Sequence, residues 1–117
     1  MKNDNVIETK SKSFAIRIVR LARYLQREKR EFVLSKQLLR SGTSIGANVK
    51  EALRGQSRAD FISKMNIALK ESSETEYWLE ILHETDYLSN KEFRSVNNDN
   101  QEILRILMSI VKTSRNE

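Results

Sequence analysis

Residues 38–53 read Leu-Leu-Arg-Ser-Gly-Thr-Ser-Ile-Gly-Ala-Asn-Val-Lys-Glu-Ala-Leu, and this stretch decides the fold. Its apolar residues recur at the three- and four-residue spacing of an amphipathic helix. Gly42 and Gly46 lie on one face of that helix, in line with Val49 and Leu53. Two glycines inside a helix cost about 2 kcal/mol relative to alanine. We therefore expect Gly42 and Gly46 to form a helix-packing notch that another helix, or a bulky side chain, enters closely.

Helical spacing continues on both sides of this stretch. The predicted helices cover about residues 12–29, 33–54, 58–88 and 90–113. Residues 1–10 are predicted to be a frayed polar arm. The chain has no proline and three glycines, which leaves room for long helices. Because the links are short, successive helices must run antiparallel. Residues 1–117 are thus predicted to form one all-α domain, an antiparallel up-down-up-down four-helix bundle.

The composition argues against several classes of function. There is no cysteine, so disulfides, thiolate nucleophiles and cysteine metal sites are excluded. The single histidine, His83, forms one Glu-x-x-His pair with Glu80, whereas a di-iron site in a bundle needs two such pairs. No glycine pattern matches a phosphate-binding loop. We predict no enzyme activity, no cofactor and no metal site.

The sequence also bears on location. No apolar run follows the N-terminus as a signal peptide would require. No stretch approaches the roughly 18 apolar residues of a membrane span. We expect a cytoplasmic protein without a membrane partner.

Charge is distributed unevenly along the chain. Residues 1–40 hold eleven Lys/Arg against four Asp/Glu, whereas residues 61–90 hold two against six. A basic first helix favours RNA or DNA, or an acidic protein surface, as partner. Alternatively, the basic and acidic helices neutralise each other across the bundle or across a subunit interface. The candidate nucleic-acid-binding residues lie opposite the apolar stripe of the first helix: Arg17, Arg20, Arg23, Arg27 and Arg30.

Four apolar residues fall outside the predicted core stripes. Ile16 and Val19 flank the arginines of the first helix, and Tyr77 and Trp78 occupy adjacent positions of the third. Such residues are candidates for an oligomer interface. Two other interpretations stay open. Isolated exposed apolar residues are common on monomers, and an exposed aromatic ring can also stack a base.

Two stretches resemble one known family. Residues 38–52, and then residues 60–71 with 74–79, resemble the bacterial four helix bundle protein family, also called 23S ribosomal RNA intervening-sequence proteins. The resemblance implies an up-down bundle that assembles as a homopentameric ring, with no catalytic residues. The family's recurrent positions are expected to be structural, and they are matched here by Arg40, Ser44, Ile45, Asn48 and Glu51. The four polar ones among them lie away from the glycine notch and are expected to hydrogen-bond to a neighbouring helix or subunit.

A related branch adds a further expectation. The accessory variability determinant of diversity-generating retroelements pairs with a reverse transcriptase and binds nucleic acid through basic surface. This resemblance and the arginines of the first helix predict an oligomeric, non-enzymatic binding module that contacts RNA or DNA. The alternative is a structural or protein–protein adaptor, for example an accessory protein of a reverse transcriptase, that does not touch nucleic acid itself.

Overall fold

The computed structural model describes residues 2–116, with side chains from residue 5 onward. Four helices account for most of them, and no strand occurs within residues 2–116, which confirms the all-α prediction. They are α1 (Lys2–Arg27), α2 (Leu34–Leu53), α3 (Arg58–Glu84) and α4 (Asn90–Asn116).

The helices pack side by side in a body of 46 × 21 × 18 Å. Each helix packs on the next one in the chain, and α1 packs less closely on α4. In the described part of the chain α1 and α3 make no close backbone approach. These two helices therefore lie diagonally across the bundle, and their outer faces point in opposite directions.

The N-terminal arm is the main departure from the predicted helix bounds. The predicted arm over residues 1–10 is wrong for residues 2–10, which form the first turns of α1; Met1 lies outside the described residues. Ile7 is fully buried, and Ser11 is nearly so. Ile7 precedes Ser11 by four residues and Phe14 by seven, so it extends the core stripe of α1 by two turns. The buried Ile7, with the half-buried Val6 beside it, anchors those turns.

The glycines of α2 lie against α1. A Cβ added at Gly42 would lie 2.8 Å from Cγ2 and 2.9 Å from Cγ1 of the buried Ile18. A Cβ added at Gly46 would lie 3.3 Å from the backbone oxygen of Ser11. Both distances are below ordinary carbon contact, so the two helices approach each other at van der Waals distance only because these side chains are missing.

Two polar pairs cross the core on either side of α3. The Ser72 hydroxyl donates to Oδ1 of Asn100 at 2.9 Å, and Nδ2 of Asn100 donates to the Ser72 backbone oxygen at 3.0 Å. The Thr75 hydroxyl donates to the Ser41 hydroxyl at 3.0 Å. All four residues are fully buried. The paired Asn100 amide can therefore lie in the core, and α4 runs as a helix through residues 97–100 despite four poor helix formers there.

Side-chain caps fix the helix starts. Ser57 accepts from the Asp60 backbone N–H at 3.1 Å, and Ser89 and Glu92 form a reciprocal capping box at 3.1 and 2.8 Å. α2 is capped differently. The Glu31 carboxylate accepts from the backbone N–H groups of Val33, Leu34 and Ser35 at 3.2, 2.9 and 2.7 Å.

Burial acts to raise the pKa of Glu31, but the hydrogen bonds from these three N–H groups outweigh it, and the pKa lies below its ordinary value. The carboxylate is therefore charged at neutral pH, at the positive end of the α2 dipole.

Candidate nucleic-acid interface

Three of the five candidate arginines form an exposed row on α1. Arg20, Arg23 and Arg27 follow one another at three- and four-residue spacing and are all solvent-exposed. Within the described part of the chain none of them has an ion-pair partner. We call these three residues the arginine row. Their guanidinium groups are free to contact phosphates.

Arg17 is held by α4 rather than free. Its Nη1 lies 2.6 Å from Oδ2 of Asp99 and donates to the Ser95 backbone oxygen at 3.2 Å, while its Nη2 donates to the Ser95 hydroxyl at 2.6 Å. This network joins α1 to α4, so most of the hydrogen-bonding capacity of Arg17 is already used.

Arg30 does not continue the row. The prediction grouped it with the arginine face of the first helix, but α1 ends at Arg27 and Arg30 lies in the link with a left-handed φ of 56°. Its guanidinium carbon lies 5.6 Å from the ring centroid of Phe32. The positive φ turns the chain toward α2, which sequence periodicity cannot show.

Beside the row an open groove of about 440 Å³ runs between α1 and α4. It is lined by Arg17, Arg20, Leu21, Tyr24, Lys91, Glu92, Ser95 and Val96. The Tyr24 ring is partly exposed, and Nζ of Lys29 lies 6.0 Å from its centroid. We call this feature the α1/α4 groove. It places an aromatic ring among three cations.

The negative groups of this side are engaged locally. A hydrogen bond from the Ser89 backbone N–H holds the pKa of Glu92 below its ordinary value, and the Lys29 charge acts in the same direction. Glu102 pairs with Lys10 at 2.7 Å. Of the exposed cations of α4, Lys91 lines the α1/α4 groove, whereas Lys112 and Arg115 lie beside Leu69 of α3.

The acidic helix α3 does not neutralise α1. α1 carries seven Lys/Arg and two Asp/Glu, and α3 carries three and six. The ion pairs of α3 within residues 2–116 go to α2, where Arg40 pairs with Glu74 at 2.5 Å and Glu51 pairs with Lys64 at 3.2 Å. α1 and α3 are diagonal, and among the described residues no ion pair joins them.

The side chains of α2 that were predicted to be structural make contacts within α2 and with α3. Nη1 of Arg40 also lies 3.9 Å from Glu71, while Ser44 and Asn48 hydrogen-bond to backbone oxygens within α2 itself. Burial and the neighbouring Glu74 carboxylate raise the pKa of Glu71, and Arg40 opposes them. These side chains hold α2 and α3 together and stabilise α2.

The predicted interface residues divide into two kinds. Ile16 is 45% exposed and Tyr77 is 54% exposed, on the diagonal helices α1 and α3. Val19 is half-buried, and so is Trp78, whose Nε1 donates to Glu74 at 3.3 Å and whose ring meets Tyr77 edge-on at 5.1 Å. Ile16 precedes Arg20 by four residues, so it lies within the arginine side of α1 rather than at its flank.

Five more exposed apolar residues were not predicted from the sequence: Tyr24, Phe32, Val33, Ile67 and Met108. Phe32 and Val33 lie in the link that was expected to start the second helix. Ile67 and Met108 are each an isolated apolar residue on an otherwise polar face, so they produce no periodic pattern in the sequence.

His83 has structural contacts. Its Nε2 lies 2.6 Å from Oδ1 of Asn90, and its ring stacks on Phe93 with 4.4 Å between centroids. Among the described residues no group of three or more metal-binding side chains comes together. None of the helices, over the same residues, is both long enough and apolar enough to span a membrane.

Comparisons with known proteins agree on one family. The model of the 23S rRNA-intervening sequence protein family matches residues 3–109. A protein of unknown function from the S23 ribosomal protein family of Bacteroides thetaiotaomicron, known from a crystal structure, is 59% identical. The match covers 94% of this chain and 98% of that one, with a TM-score of 0.93. No curated protein matches the sequence.

Proposed function

The chain belongs to the 23S rRNA-intervening sequence protein family, and we propose that it is a non-enzymatic module that binds RNA or DNA through the outer side of α1 and α4. The observation that carries the proposal is the arginine row. Arg20, Arg23 and Arg27 are exposed, neighbouring and unpaired within the described residues. Three such cations on one face favour a polyanion, because each can neutralise a phosphate and release a counterion.

The surroundings of the row support the same proposal. Lys91 of α4 adds a cation across the α1/α4 groove, and the carboxylates there are already engaged by Arg17, Lys10 and the cap of α4. The acidic helix α3 lies on the opposite side of the bundle. A phosphate backbone approaching α1 therefore meets positive charge without strong repulsion from α3.

Binding of labelled RNA and DNA oligonucleotides at several salt concentrations tests the proposal. We expect affinity to fall steeply between low and physiological salt. The triple variant Arg20→Glu, Arg23→Glu, Arg27→Glu should abolish binding while circular dichroism shows unchanged helicity, because all three side chains are exposed. Replacing the three with glutamine should instead reduce the slope of log K against log salt by about 2 for a single strand.

A matched control distinguishes loss of the arginine row from a general change in net charge. The triple variant Lys36→Glu, Lys50→Glu, Lys70→Glu makes the same charge change with exposed lysines of α2 and α3. It should retain most of the binding. If the two triple variants lose affinity equally, or if the arginine variant still binds, the arginine row is not the binding site. If the native chain binds no nucleic acid even at low salt, the adaptor function replaces this proposal, with a reverse transcriptase as one partner to test.

We further propose that copies of the chain assemble into a homopentameric ring. Ile16 on α1 and Tyr77 on α3 are exposed on opposite sides of one molecule, as a head-to-tail interface requires. Their surroundings have opposite charge. Arg20 and Arg23 lie one and two turns from Ile16, whereas Glu74, Glu80 and Glu84 lie one and two turns from Tyr77. Val19 and Trp78 lie at the edges of these two faces.

Sedimentation of the native chain tests the ring. We expect a single species of five times the monomer mass, and the single variants Ile16→Asp and Tyr77→Asp should each dissociate it. Met108→Asp introduces the same charge at an exposed apolar position of α4 and should leave the species unchanged. A monomeric native chain, or a ring that survives both interface variants, would contradict this assembly.

A further inference from the structure

The α1/α4 groove differs from the rest of the positive side because it contains an aromatic ring. Tyr24 lies on α1 one turn after Arg20, partly exposed, and lines the groove together with Lys91 of α4. The aliphatic side chains of Leu21 and Val96 form part of the same wall. A flat apolar surface flanked by cations suits a group that is itself flat and carries negative charge on both sides.

An unpaired nucleotide has this shape and charge. Proteins that bind single strands combine a cationic groove for the backbone with aromatic rings on which the bases stack. A duplex offers only its phosphates to such a groove, because its bases are already stacked on each other. The volume of about 440 Å³ lies within the range of small-ligand sites.

We propose that this surface selects single-stranded nucleic acid, with one base stacked on Tyr24 in the α1/α4 groove and the flanking phosphates on Arg20 and Lys91. This inference rests on the proposed nucleic-acid binding and names its substrate class. Glu92 lines the same groove, but its carboxylate accepts from the Ser89 backbone N–H at 2.8 Å and is held against α4. Lys29, near the Tyr24 ring, offsets its charge.

Stacking explains why a tyrosine is exposed at this point. The ring is half of an aromatic–cation pair with Lys29, whose Nζ lies 6.0 Å from the centroid. Lys29 is not among the residues that line the groove, whereas Tyr24 is, so the ammonium does not occupy the space in which a base would stack. Because stacking is tolerant of base identity, the expected preference is for strandedness rather than for sequence.

Fluorescence anisotropy with a labelled single strand and with the same strand annealed to its complement tests the inference on the full-length chain. We expect the single strand to bind at least about tenfold more tightly than the duplex. Tyr24→Leu should weaken single-strand binding by roughly 5- to 150-fold and leave duplex binding within about twofold, because only the single strand loses a stacking partner. Tyr24→Phe retains the ring and should keep the native affinity.

The control is Phe32→Leu, which removes an exposed ring in the link between α1 and α2 that also has a cation beside it but does not line the groove. It should leave both affinities unchanged. Thermal midpoints of all variants show whether each is folded. Equal affinity for single strand and duplex, or equal effects of Tyr24→Leu and Phe32→Leu, would overturn the stacking inference while the phosphate-binding proposal survives. Equal losses in Tyr24→Phe and Tyr24→Leu would overturn it too, because the hydroxyl rather than the ring would then matter. Absence of binding to either ligand would refute the proposed function itself.

Discussion

Replacing Gly42 with alanine gives the most direct test of the packing between α1 and α2. The new methyl carbon would lie 2.8 and 2.9 Å from the two γ carbons of Ile18 and 3.2 Å from its Cβ. Carbon atoms in contact normally stand about 3.5–4.0 Å apart. Ile18 is fully buried and β-branched, so it cannot turn away. Overpacking of this kind costs about 1–3 kcal/mol.

The helix itself gains from the same substitution. Alanine is more favourable than glycine in a helix interior by about 1 kcal/mol. Because the overlap involves three carbons of one rigid side chain, we expect the upper part of the overpacking range and a net loss of about 1–2 kcal/mol. Urea unfolding followed by far-UV circular dichroism measures this change. Ala47→Gly, at an exposed position of α2, measures how much stability the helix loses when glycine replaces alanine without any change in packing.

A double-mutant cycle with Ile18→Ala isolates the contact. Ile18→Ala alone should cost about 2–5 kcal/mol through the cavity it leaves. In that background both γ carbons are gone, so Gly42→Ala should become stabilising by about 1 kcal/mol. The sign of the glycine substitution thus depends on Ile18. If Gly42→Ala stabilises the native sequence as much as it stabilises the Ile18→Ala variant, the close approach does not explain the glycine.

Two further substitutions probe buried polar groups. Asn100→Asp places a carboxylate at a fully buried position and replaces the amide that donates to the Ser72 oxygen at 3.0 Å. Burial should raise the pKa of the new carboxyl group. Chemical unfolding at several pH values should therefore show a loss of stability of about 3 kcal/mol or more at neutral pH, which disappears as the carboxyl is protonated. Constant destabilisation at all pH values would contradict this explanation. Glu31→Gln should lose about 1 kcal/mol at neutral pH. In the native chain the contribution of Glu31 is present above its ordinary pKa of 4.5 and is lost as the pH falls through the lower folded-state pKa. The native chain and the variant should therefore converge in acid, and a constant difference would argue against an ionised cap.

Features that repeat along one helix could be predicted from the sequence. The apolar period of α2 indicated its core face, and the spacing of Gly42 and Gly46 pointed to close packing on a neighbour. Ser89 and Glu92 fit a local capping pattern that needs no tertiary information. These signals depend on residues within one or two helical turns, which is the range that a single sequence displays.

Features that depend on contact between helices could not be predicted in the same way. Glu31 reads as a charged link residue, and nothing local shows that its carboxylate folds back over the start of α2. Arg17 has the same spacing as the arginine row, yet Asp99 of α4 engages it. The start of α1 was missed because Val6 and Ile7 are adjacent and show no helical period by themselves, and the burial of Ile7 depends on packing beyond α1 itself.

The position of Ile16 links the two proposals on α1. It lies one turn from Arg20, so a neighbouring copy that covers Ile16 also covers part of the arginine row. The α1/α4 groove lies toward α4, on the far side of Arg20 from Ile16. In a ring joined through Ile16 and Tyr77, the groove would stay open while Arg23 faced the acidic α3 of the next copy. Tyr24 and Lys91 would then contribute more to nucleic-acid affinity than Arg23. Comparing the loss of affinity on substituting each of these three residues therefore shows which surface the assembly leaves exposed.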